Sequence, residues 1–293
     1  VKSFSGSFVA LVTPFKDGKV DYVALEKLVD WHVKTGTDAV VPCGTTGESP
    51  TLSHEEHRAV IRTVIEAARR RIPVVAGTGS NNTKEAVELT EFAAKNGADA
   101  ALTVVPYYNK PTQEGIIRHF KQVAASAPGL PLILYNIPGR CGTGMTVDTI
   151  VRAKEEIPEV AAVKDATGGT SMAADILARS EITILSGDDT LSVPFMSVGA
   201  KGVISVTANI LPAEVSDMTH AMLDGGLFKA MELQRKMHAI NAALFIETNP
   251  IGVKAALHLM GKIGPEIRLP MTPMTEKNLE ILKSAMRDLG LIK

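Results

Sequence analysis

The chain has 293 residues, 45% of them hydrophobic and 22% charged, which excludes a disordered, collagen-like or coiled-coil polymer. Its 31 Lys and Arg balance 32 Asp and Glu, a net charge of -1 that leaves no basic footprint for nucleic acid, so small molecules are the expected partners. Two cysteines are too few for a secreted disulfide scaffold, and no apolar run approaches the roughly 18 residues needed to cross a bilayer, so the expected setting is the cytoplasm, away from membranes.

In chain order, a strand at 8–12 (FVALV) leads into a segment where Val23, Leu25, Leu28, Val29, His32 and Val33 recur with helical period. AVVP at 39–42 is followed by Ser53 and Glu56, a capping-box pair that starts a helix reaching to about Arg71. Further strands fall at 73–77, 100–105, 131–136, 160–166, 182–187 and 201–206, each with a helix-period segment behind it. Strands this uniformly apolar suit a parallel sheet covered on both faces. About eight strand–helix units without a break in composition predict an α/β chain closed into a (β/α)8 TIM barrel rather than an open sheet. From about 210 the pattern is helical only. Three helices beyond the barrel's last one predict a C-terminal helical appendage, with the barrel at 1–224 and the helical region at 225–293.

In such a barrel, chemistry sits at the carboxyl ends of the strands. Lys164 ends the apolar strand 160–164; an amine desolvated there loses some of its preference for the charged form and becomes a nucleophile towards a ketone or aldehyde. Snorkelling to solvent, or pairing with Asp165, is the competing reading. Tyr135, one of four tyrosines, also ends a strand and suits proton transfer if Thr45 or Thr46 relays for it, or else simply packs its ring. The glycines of Gly44-Thr45-Thr46-Gly47-Glu48 and Gly77-Thr78-Gly79 fit either an anion cradle or plain turns. Arg140, just beyond a strand, suits a substrate carboxylate or an ordinary surface position. His54 and His57 stand three apart, the wrong spacing for HExxH, so no metal is expected, and Cys43 and Cys141 read as buried, inert thiols.

GTTGES followed by TL and a His-Glu-rich turn, PYYNKPTQEGI, YNIPGR, VKDATG, SGDD, GVISVTAN, NPIGVK and RLPMTP occur in order along nearly the whole chain. In these motifs the sequence resembles the dihydrodipicolinate synthase family, within the class I pyruvate-dependent aldolases and lyases that include N-acetylneuraminate lyase. The resemblance implies condensation of pyruvate with L-aspartate 4-semialdehyde, without metal or organic cofactor. It further implies Lys164 as the Schiff-base lysine, Tyr135 for proton transfer, Thr45 as relay, and Tyr108 as a tyrosine contributed by a neighbouring subunit. Thr46 matches the pyruvate-carboxylate site, Arg140 the semialdehyde-carboxylate site, and backbone oxygens of Gly187 and Ile204 line the pocket. Ser49, Pro50, His54, His57, Asn81, Glu85 and Tyr107 match a site for L-lysine as feedback inhibitor, and the assembly implied is a homotetramer built as a dimer of dimers. A sibling aldolase acting on sugar acids would need no Arg at 140, and a non-catalytic binding barrel would need neither Lys164 nor Tyr135.

Overall fold

The computed structural model describes residues 4–293. Its eight parallel strands are β1 (Gly6–Ala10), β2 (Ala39–Val41), β3 (Val75–Gly77), β4 (Ala100–Val104), β5 (Leu132–Asn136), β6 (Val160–Asp165), β7 (Thr183–Ser186) and β8 (Gly202–Ser205). They pair in the order β2-β1-β8-β7-β6-β5-β4-β3, and a parallel bridge from Val40 to Val74 joins the two ends into a nearly closed barrel. Each strand matches a predicted one, with the first beginning two residues earlier, at Gly6.

The helices α1 (Tyr22–Lys34), α2 (His54–Ala68), α3 (Thr83–Lys95), α4 (Gln113–Ser126), α5 (Val147–Glu156), α6 (Ser171–Leu177), α7 (Ser192–Ser197) and α8 (Pro212–Leu223) follow the strands in turn. The Ser53 hydroxyl accepts from the Glu56 N–H while the Glu56 carboxylate accepts from the Ser53 N–H, so the capping box forms as the sequence predicts; such a cap contributes about 1 kcal/mol. In α1 the buried stripe is Ala24, Leu25, Leu28, Val29 and His32, whereas Val23 lies 63% exposed, one step outside the face that packs on the barrel.

The C-terminal region holds four helices rather than three: α9 (Leu227–Lys236), α10 (His238–Leu244), α11 (Ile251–Leu259) and α12 (Glu276–Asp288). The segment expected to be one long helix breaks at Met237, and its two halves pack differently, α9 against α7 and α8 and α10 against α11 and α12. Ala230 and Met237 enter the main core, as do Ile240, Ala243 and Leu244 of α10, and Asn241 in α10 accepts from the Thr207 hydroxyl at 2.7 Å, in the loop after β8. That core is continuous from α1 and α2 through α8 into α9–α12. Among the described residues no helix is long and apolar enough to cross a membrane.

Strand pleating sorts side chains between the barrel interior and the helix layer. Ile133 and Tyr135 on β5 point inward, whereas Leu132 and Leu134 pack under the helices. On β6 a register irregularity opposite Leu132 and Ile133 changes the phase: Val160 and Val163 face the helices while Ala162 faces the interior. Lys164, two residues after Ala162, therefore joins the inward row at the carboxyl end of the barrel.

Candidate active site

Tyr135 and Lys164 are register partners on adjacent strands, and the Lys164 Nζ lies 4.1 Å from the centre of the Tyr135 ring. Lys164 is 6% exposed, and burial pulls its amine down from 10.5 to about 8; the positive Arg140 adds to this and Asp189 opposes it. The reading of Lys164 as a lysine snorkelling to solvent is thereby set aside. Burial also pushes the Tyr135 phenol up to about 12, against the pull of Arg140 and of a hydrogen bond with Thr45. At neutral pH that phenol stays protonated unless Thr45 passes its proton onward.

The loop after β2 presents Thr45 and Thr46. It is a tight turn closed by Gly47 N–H to Gly44 O at 3.1 Å and Glu48 N–H to Thr45 O at 3.1 Å. The Thr13 hydroxyl donates to Gly47 O at 2.6 Å, and the buried Asn249 side chain donates to the Thr46 hydroxyl at 3.0 Å. Gly77 serves close packing rather than an anion cradle, since a Cβ there would lie 2.2 Å from the Cys43 carbonyl oxygen.

Thr45, Thr46, Tyr135, Arg140, Lys164, Gly187 and Ile204 line a common cavity of about 60 Å³ at the carboxyl ends of the strands. It shares Gly44, Thr45, Tyr135, Arg140 and Asn249 with a larger cavity of about 260 Å³, whose wall includes Ser49, Pro50 and Tyr107. Arg140 sits on the helical turn Pro138–Cys141, at the edge shared by both cavities, with its side chain exposed. A small pocket with a neutralisable amine thus opens into a chamber guarded by a cation.

The remaining predicted residues are more dispersed. Tyr108 is 88% exposed with a left-handed φ of 71°, and it lines neither cavity. His54 pairs with Glu85 at 3.5 Å, and Glu85 also accepts from the Ser80 hydroxyl at 2.7 Å. The Asn81 carbonyl accepts from the Asn109 side chain at 3.0 Å. His57 is buried and donates through Nε2 to Gly77 O at 2.7 Å, with burial lowering its pKa. Burial raises both thiols, Cys141 to about 11 and Cys43 further.

Sequence reasoning passed over three features here. Asp189 is buried, takes a short hydrogen bond from the Ser205 hydroxyl and accepts from the N–H groups of Val206 and Thr207, and is the acid that acts on Lys164. Asn249 holds Thr46, and Lys254 pairs with Glu48. Their signals were present, as acids directly after a strand in SGDD and as polar residues in NPIGVK, but their partners lie far away in sequence.

The dihydrodipicolinate synthetase family pattern matches residues 3–289. The chain belongs to that family. The 4-hydroxy-tetrahydrodipicolinate synthase of Thermodesulfovibrio yellowstonii is 50% identical over 99% of this chain and 100% of its own length. A chloride-inhibited dihydrodipicolinate synthase of Acinetobacter baumannii, solved in complex with pyruvate, superposes with a TM-score of 0.95 at 49% identity, covering 99% of this chain and 100% of that one. The enzyme of Cyanidioschyzon merolae, solved with lysine bound, superposes with a TM-score of 0.96 at 41% identity over 99% of each chain. As a dihydrodipicolinate synthetase family member at this identity and coverage, the chain is an enzyme.

Proposed function

We propose that the chain condenses pyruvate with L-aspartate 4-semialdehyde through a Schiff base on Lys164, giving 4-hydroxy-tetrahydrodipicolinate on the route to diaminopimelate and lysine. The observation that carries this reading is the buried Lys164 amine, drawn down to about 8 and set 4.1 Å from the Tyr135 ring. The neutral amine attacks the pyruvate ketone, and loss of water leaves an iminium. That cation draws electrons from the neighbouring C–H bonds, a methyl proton leaves, and the resulting enamine attacks the aldehyde of the second substrate. The semialdehyde's own amine then displaces Lys164 and closes the ring. Since the iminium itself is the electron sink, this chemistry asks for no further group.

Each side chain takes a role its surroundings suit. Thr46, held by Asn249, binds the pyruvate carboxylate, with the Gly187 and Ile204 backbone lining the pocket. Tyr135 delivers and removes protons through Thr45. Arg140, exposed at the rim, takes the carboxylate of the semialdehyde. Tyr108, which stands 88% exposed among the described residues, completes the relay of a neighbouring subunit in a homotetramer built as a dimer of dimers. L-lysine acts as feedback inhibitor through Ser49, Pro50, His54, His57, Asn81, Glu85 and Tyr107, in the cytoplasm; Glu85 suits its ammonium group. Pro50 offers a carbonyl but no N–H.

The test is borohydride reduction of the chain with pyruvate, followed by peptide mass spectrometry. A pyruvate-derived adduct on Lys164, absent in Lys164→Ala, is expected; an adduct of normal yield on another lysine refutes the assignment.

A further inference from the structure

Two residues of the C-terminal helical region reach back over the barrel mouth to the loop that carries Thr45 and Thr46. Lys254, the last residue of NPIGVK, forms a short ion pair with Glu48, and the two side chains are 4% and 2% exposed. The second Glu48 oxygen accepts from the Arg268 backbone N–H at 3.0 Å. Lys254 Nζ also donates to Thr13 O at 3.0 Å, and the Thr13 hydroxyl in turn donates to Gly47 O at 2.6 Å. The ammonium of Lys254 and the guanidinium of Arg268 each lie 4.2 Å from the centre of the Phe15 ring.

We propose that the buried Glu48–Lys254 ion pair is a positioning device that sets the Thr45–Thr46 loop, and with it the pyruvate-carboxylate contact, from the C-terminal region. This rests on the role given to Thr46 above. Neither Glu48 nor Lys254 lines the small cavity around Lys164; Glu48 does border the larger chamber, but one of its carboxylate oxygens is held by Lys254 and the other by the Arg268 N–H, so the pair acts on the pyruvate site through the loop. A buried ion pair is a poor source of net stability, since its desolvation offsets most of the attraction and an apolar pair of similar shape does as well. What an apolar pair lacks is direction. The charged pair reaches defined atoms of Thr13 and Arg268, Thr13 in turn holds Gly47, and Glu48 is a non-glycine residue at a φ of 53°, a conformation that persists only when its surroundings over-determine it.

Lys254→Met alone strands a buried carboxylate, so the decisive variant is Glu48→Gln combined with Lys254→Met. It keeps an acceptor for the Arg268 N–H and fills the volume beside Phe15. We expect cooperative thermal unfolding to survive and the KM for pyruvate to rise about 10- to 100-fold, as for a misplaced binding contact, with the KM for the semialdehyde unchanged. A double variant with the wild-type KM for pyruvate, with equal losses for both substrates, or without cooperative unfolding would assign the pair to the fold alone and overturn the proposal. Wild-type chain that traps no pyruvate on Lys164 would overturn the functional reading and this one together; a normal wild-type adduct with an unchanged variant KM would overturn only this one.

Discussion

The titration of Lys164 sets the pH dependence of the first covalent step. A fall from 10.5 to about 8 means that the folded site as a whole, chiefly through burial, disfavours the charged amine by about 3 kcal/mol. At pH 7 about one Lys164 in ten is then neutral, about 300-fold more than an unperturbed lysine supplies. Adduct formation, followed by rapid quenching into borohydride and intact-mass measurement, should therefore accelerate about tenfold per pH unit and level off near pH 8. Asp189→Asn sharpens the test, because Asp189 is the influence holding the amine up against desolvation. Without it the break moves to lower pH and the adduct forms faster at pH 7. Overall turnover nevertheless falls, since the iminium loses its nearby anion. A wild-type break near 10.5, or a break that moves upward in Asp189→Asn, would refute the reasoning.

Arg140→Ala removes a charge-assisted carboxylate contact of about 1.5–3 kcal/mol, so kcat/KM for aspartate semialdehyde should fall about 10- to 150-fold while borohydride trapping of pyruvate persists; equal loss of both would make Arg140 structural. Lys164→Met abolishes the adduct yet should stabilise the fold by up to about 3 kcal/mol at pH 7, measured by thermal or denaturant unfolding. The sign follows from linkage: the folded value of about 8 lies below the unfolded 10.5, so the native lysine costs stability while both states are charged, and that cost fades between those two pH values. The variant's advantage should shrink over the same interval, and an advantage independent of pH would contradict the assignment. Finally, millimolar L-lysine should inhibit partially and non-competitively with pyruvate, and Glu85→Ala should weaken that inhibition; steady-state assays showing no inhibition, or inhibition unaltered by the substitution, would remove the site.

Much of the architecture was legible from local pattern, because strand pleat and helix period are properties of neighbouring residues. The eight apolar strands, the Ser53 capping box and the placing of Lys164 and Tyr135 at strand ends all follow from such pattern. Tertiary structure decided what depends on partners remote in sequence. The inward phase of Lys164 comes with an irregularity between β5 and β6 that no alternation in 160–164 reveals. The helix break at Met237 coincides with a change of packing partner from α7 and α8 to α11 and α12, and Val23 lies one step outside the packed face of α1. In the sequence His57 is one of two histidines three apart in a first turn, and only the fold shows it buried with its Nε2 donating to the Gly77 carbonyl. Lys254 and Glu48 stand 206 residues apart, and only barrel closure, which brings the last helices over the first loops, lets each remove the other's cost of burial.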